Sequence, residues 1–191
     1  MKKINEDSFA GEFETSTLMV LIDEQPSNEV SLLPGMLSEE LIKEEDIYND
    51  DTDEYGREVT YHITIAHGMD DSLREEIIEF VEAFGPVEVA LGPISFFRND
   101  EEDIPYDVCK LSVISEDLER LNAELREMFE FSTNWAYNPH LTLAYIRKGA
   151  CTDLEGFTMS GELPEAYEPF SLKNISLILP SKERIHIELE S

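Results

Sequence analysis

The chain has 191 residues, 41% of them apolar, which fits one folded domain with a substantial core. Its 43 acidic residues outweigh 14 basic ones, a formal charge of −29 at pH 7, and so acidic a surface disfavours long nucleic acids and anionic membranes. The two cysteines, Cys109 and Cys151, lack metal-like spacing and read as free thiols of a reducing compartment. No apolar run approaches a signal peptide or the ~20 residues that span a bilayer, so the expected location is the cytoplasm.

In chain order, STLMVLID (16–23) is a compact apolar run that predicts a buried strand. LLPG then reads as a turn, with Ser38 capping a short helix through EELIKEED. The acidic, glycine-bearing stretch 48–58 predicts a loop. In VTYHITIAHG (59–68) the residues alternate, with Val59, Tyr61, Ile63 and Ile65 on one face and Thr60, His62, Thr64 and Ala66 on the other. Residues 71–86 form the clearest helix: Ser72 and Glu75 have capping-box spacing, Leu73, Ile77, Phe80, Val81 and Phe84 make an apolar stripe, and Gly85-Pro86 ends it. A strand follows over 87–97, with Phe96 and Phe97 expected in the core or else in a loop role, and then an acidic connector over 98–106.

The order then repeats. DVCKLSVI (107–114) predicts a strand, and 115–131 a helix capped by Ser115 and striped by Leu118, Leu121, Leu125, Met128 and Phe129. HLTLAYI (140–146) predicts a strand, and 170–180 with 184–190 a closing hairpin. His186 reads as an ordinary sheet-face residue. Each half thus offers a strand, a helix, a strand carrying His-x-Thr and a further strand, a weak internal duplication.

The two His-x-Thr strands carry the chemistry. In a strand, residues two apart share a face about 6–7 Å apart, so each motif presents an imidazole beside a hydroxyl while Ile63 or Leu141 anchors the other face. Brought together by a pseudo-two-fold, His62, Thr64, His140 and Thr142 would surround one cleft. Two imidazoles supply a base for the nucleophile and an acid for the leaving oxygen, and the hydroxyls hold the phosphate oxygens. No metal or other cofactor is expected, since neither HExxH nor a Cys/His cluster is present.

HITIAHG and HLTLAY resemble the paired signatures of the two-histidine (2H) phosphoesterase superfamily, over a span from Leu18 to about Leu189. Its members include 2′-5′ RNA ligase-like proteins, cyclic phosphodiesterases and phage proteins that destroy cyclic-nucleotide immune signals. The resemblance implies a bilobal α/β (α+β) fold, with two pseudo-symmetric antiparallel sheet lobes, outer helices and a central cleft. The lobes are expected over about 16–97 and 107–191 of a single domain. It further implies that His62 and His140 are the acid–base pair and that Thr64 and Thr142 bind phosphate. The sequence leaves open which histidine takes which role.

Further residues are candidates for substrate contact. His67 and Tyr145 each follow their threonine by three residues, and either stacks on a base or closes a strand end. Trp135 and Tyr137 form an aromatic wall or pack. Arg147 and Lys148 meet a second phosphate or form a solvated turn. The charge favours a substrate of one to three nucleotides, namely a cyclic nucleotide or cyclic oligonucleotide, and the likeness to phage members suggests an anti-defence role. The alternatives are an RNA 2′,3′-cyclic phosphodiesterase or 2′-5′ RNA ligase-like enzyme, a non-catalytic nucleotide sponge, and an acidic decoy for a host protein.

Overall fold

The computed structural model describes residues 14–25, 28–50, 55–158 and 168–189. Loop residues 51–54 and the last residue of the expected 184–190 strand lie outside them. Eight strands form one sheet: β1 (Thr15–Leu21), β2 (His62–Asp70), β3 (Glu88–Phe97), β4 (Tyr106–Ile114), β5 (His140–Arg147), β6 (Phe170–Ser171), β7 (Asn174–Ile178) and β8 (Arg184–Glu188). Among the described residues three α-helices accompany them: α1 (Asn28–Leu41), α2 (Arg74–Phe84) and α3 (Glu116–Met128). The strand order is β6-β3-β4-β5-β2-β1-β7-β8, every pair antiparallel.

This order puts the two His-x-Thr strands at the centre, joined through the single pair Ile63–Leu141. Four strands lie on each side, β2-β1-β7-β8 and β5-β4-β3-β6. The lobes therefore do not follow the expected division at the 98–106 connector. β3 pairs with β4 in the second lobe, and the β7–β8 hairpin returns to β1 in the first. A period-two pattern identifies a strand but not its partner, which is why the exchange is invisible in the sequence.

The core lies between the sheet and the helices. Leu18, Val20, Ile63, Leu111, Leu141 and Leu143 are all wholly buried on the sheet side. α2 contributes Ile77 and Val81, and α3 contributes Leu118, Leu121 and Leu125. Ser115 caps α3 as expected, accepting from the Leu118 amide at 3.0 Å. Met128, placed on the stripe by periodicity, is instead 60% exposed.

Two helix starts differ from the sequence reading. α2 is preceded by a short 3-10 turn, and the Asp70 carboxylate, rather than Ser72, receives the Ser72 amide at 2.9 Å. α1 begins at Asn28, runs through the expected LLPG turn and ends at Leu41, short of the expected 46. Pro34 has no N–H for the Val30 carbonyl, yet it and Leu37 are buried, so packing outweighs the lost bond. Ser38 is then a helix-interior residue, and its hydroxyl donates to the Leu143 carbonyl at 3.3 Å.

Candidate active site

Ile63 and Leu141 are opposed in the ladder and point into the core. Their flanking residues point to the other face, and extending the register by one residue sets His62 across from Thr142 and Thr64 across from His140. Directly opposed side chains in such a pair start about 4.5–5.5 Å apart, and the diagonal His62–His140 about 7–8 Å. All four are half-buried.

The two imidazoles are held alike. His62 Nδ1 donates to the Thr60 carbonyl at 2.8 Å, and His140 Nδ1 to the Asn138 carbonyl at 2.8 Å. A carbonyl only accepts, so Nδ1 carries the proton in both rings. Nε2 is left to take or give a proton. Each ring is thus fixed by the chain two residues upstream and has its hydroxyl partner two residues downstream.

A bulge follows each motif. The β1–β2 register shifts between Leu18–Ala66 and Met19–Thr64, and the β4–β5 register between Cys109–Ala144 and Lys110–Thr142. The extra residues are Ile65 and Leu143, three positions after each histidine. Their peptide groups are tied from behind: Asn122 of α3 donates to the Ile65 carbonyl at 2.7 Å, and Ser38 of α1 to that of Leu143. The bulge turns Ala66 into the core, against its expected place on the histidine face, and brings His67 and Tyr145 onto that face instead.

His67 and Tyr145 therefore flank the four central residues. His67 Nδ1 meets Thr17 Oγ1 at 2.7 Å, and its ring lies 6.1 Å from that of Trp135 at an interplanar angle of 11°. Trp135 is 39% exposed, an aromatic surface beside the site. At the opposite end Tyr145 joins Tyr106 (5.4 Å) and Tyr55 (5.3 Å), with Tyr48 against both of the latter. Tyr137 packs against the core, its hydroxyl buried without a partner among the described residues, so it does not continue the aromatic wall expected with Trp135. Arg147 is exposed at the end of β5, and the Lys148 ammonium is engaged by the Glu101 carbonyl at 2.7 Å.

Several residues of this face gave no signal in the sequence. Phe97, read as core, lies edge-on to His140 at 4.7 Å. Lys110 is opposed to Thr142, and Ser112 to His140. Burial pushes the His140 pKa down; the Asn138 carbonyl opposes this, and the charges of Lys110 and His62 add to it. Among the described residues no group of three or more His, Cys, Asp or Glu side chains is placed to hold a metal ion, and no helix is long and apolar enough to cross a membrane.

The fold is that of the two-histidine phosphoesterases. Among solved structures it is similar to Kluyveromyces marxianus Usb1 with uridine monophosphate, at 14% identity and a TM-score of 0.59, over 92% of this chain and 98% of that one. It is also similar to TT0787 of Thermus thermophilus, at 13% identity and a TM-score of 0.54, over 93% of this chain and all of that one. No protein-family model and no curated protein sequence matches the chain.

Proposed function

We propose that the chain is a phosphodiesterase acting on a small nucleotide, with His140 as the first general base, His62 as the general acid, and Thr64 and Thr142 holding the phosphate. The observation that carries this reading is the twin arrangement of the imidazoles. Each is tied through Nδ1 to a carbonyl, with a hydroxyl beside it on a shared face. The lowered pKa of His140 supports its neutral, proton-accepting role.

For a ribonucleotide diester, His140 Nε2 takes the 2′-hydroxyl proton and O2′ attacks phosphorus. The bond from phosphorus to the leaving oxygen breaks, and that oxygen receives its proton from His62 Nε2. The product is a 2′,3′-cyclic phosphate, which water opens with the histidine roles exchanged. Both proton transfers are supplied by the chain itself. The threonine hydroxyls donate to the non-bridging oxygens as charge accumulates there.

The charge of −29 favours substrates of one to three nucleotides over polymers. A cyclic nucleotide or cyclic oligonucleotide fits that limit, and removal of such a signal as a phage counter-defence is the biological role we attach to it. Usb1 with uridine monophosphate on the same fold supports a small nucleotide ligand. The second reading is an RNA 2′,3′-cyclic phosphodiesterase or 2′-5′ RNA ligase-like enzyme. Digestion in EDTA of 2′,3′-cyclic mononucleotides, cyclic di- and trinucleotides and 2′-5′ and 3′-5′ dinucleotides, read by mass spectrometry, tests both. Cleavage of one class by the wild type, lost in His62→Ala and His140→Ala, is the expected result. Ligand binding without turnover would instead identify a sponge.

A further inference from the structure

Lys110 lies in the interior of β4 and is 4% exposed. Burying an ammonium group is costly unless a counter-charge accompanies it. The chain has 43 acidic residues to offer, and Arg57, Arg74, Arg98, Arg120 and Arg184 each pair with one. Among the described residues no carboxylate pairs with Lys110. Its ammonium donates to Ser95 Oγ at 2.8 Å and stands 4.4 Å from the centre of the Phe97 ring. Ser95 Oγ in turn meets Ser112 Oγ at 2.9 Å. These contacting neighbours are uncharged, and an ammonium has three donors. Burial pushes the Lys110 pKa down, and the Glu155 carboxylate, beyond ion-pair distance, offsets this in part.

The sheet register places this cation on the histidine face. Ser95 is opposed to Lys110, and Lys110 to Thr142. Ser112 is opposed to His140, and the Phe97 ring that Lys110 touches is the one set edge-on to His140. The row across the second lobe is thus Ser95, Lys110, Thr142.

The pseudo-two-fold supplies a control within the same molecule. In the first lobe Ser176 is opposed to Met19, and Met19 to Thr64. The row is the same, with methionine in place of lysine, and Ser176 Oγ is buried without a hydrogen-bond partner among the described residues. A side chain of similar length and no charge therefore fills the equivalent position, so filling the space does not require the ammonium group.

The geometry points to Lys110 as an anion-binding residue of the site, donating to a non-bridging phosphate oxygen of a nucleotide held at Thr142. This rests on reading the histidine face as a nucleotide site and adds a cation on one side of it only. The substrate phosphate supplies the direct counter-charge that Glu155, acting on the ammonium only from beyond ion-pair distance, does not. Lys110 contributes to phosphate affinity and to charge stabilisation as phosphorus is attacked, while Met19 leaves the other side neutral.

The test compares uridine monophosphate with uridine, by calorimetry, on the wild type and on Lys110→Met. The wild type is expected to bind the monophosphate more tightly than the nucleoside. Lys110→Met should lose at least about tenfold in affinity for the monophosphate, with uridine affinity unchanged. Its thermal midpoint should hold or rise, since an unpaired buried charge is removed. Unchanged monophosphate binding overturns the inference, as does a wild type that does not distinguish the two ligands. In the wild type alone, the NMR signals of the Lys110 ε-methylene must shift as monophosphate is added, and their constancy also overturns it. Turnover separates this from the function proposed above. A chain that cleaves substrate while Lys110→Met keeps its affinity refutes Lys110 only. A chain that cleaves nothing while Lys110→Met loses affinity refutes the phosphodiesterase only.

Discussion

His62 and His140 differ in surroundings more than in geometry. Both are anchored by Nδ1, but His140 is pressed by Phe97 and Lys110. Replacing either imidazole with alanine is expected to lower kcat by about 10²–10⁴, read in single-turnover digests. The pH profile carries the sign. With its pKa held below the ordinary 6.5, His140 remains a base as pH falls through that value, so the acid limb of kcat/KM should lie below it. Lys110→Met removes a positive neighbour, makes protonation easier and should move that limb upward. The histidines and threonines were legible because a period of two is written in the sequence. Lys110 and Phe97 were not, because their place beside His140 depends on the register of β3 and β4, which no local pattern encodes.

The strands show how the site is aimed. Each bulge advances the strand by one residue, and a polar side chain from a helix satisfies the carbonyl at that point. Asn122→Ala would leave the buried Ile65 carbonyl unpaired, with an expected cost of about 1–3 kcal/mol in urea unfolding. Its activity should fall further than that loss implies, because His62, Thr64 and His67 are carried on the same strand. The β4–β5 end is secured by Asp107, which receives the Asn99 and Gly149 amides at 2.9 and 2.8 Å and pairs with Arg98 at 2.9 Å. Burial alone would raise the Asp107 pKa, but these three donors outweigh it and hold the pKa low. The carboxylate therefore contributes stability above its unfolded value of 3.8, and this is lost as pH falls through the lower folded value. Asp107→Ala is expected to cost about 3–5 kcal/mol at neutral pH, measured by denaturant titration. Helix α1 was partly hidden in the sequence because LLPG has turn chemistry, and only its buried contacts make it helical. The bulges were hidden too, since a bulge is a relation between two strands.

For the whole molecule, charge sets how a ligand arrives. An anionic nucleotide approaching a surface of −29 is slowed by repulsion that salt screens within roughly 8–10 Å. We therefore expect kcat/KM for a small nucleotide to rise with sodium chloride from ~10 to ~150 mM, the reverse of the steep fall seen for proteins that bind polyanions. A falling rate would argue against this electrostatic account. The duplication was readable from composition and pattern, whereas the exchange of strands between lobes was not.

That exchange has a consequence for synthesis. β1 needs β7 beside it, and β7 in turn pairs with β8; these two are the last of the eight strands to be made. The segments leading into the motif strands are exchanged as well: Glu58 donates its amide to Leu143 of β5, and Ser132 to Gly68 of β2. A nascent chain emerging from the ribosome with only its first hundred residues lacks every partner for one edge of β1. Folding must wait for the closing hairpin, and neither half expressed alone should form a stable body. The two halves made as separate polypeptides should instead reassemble, because each one holds strands that the other lobe requires.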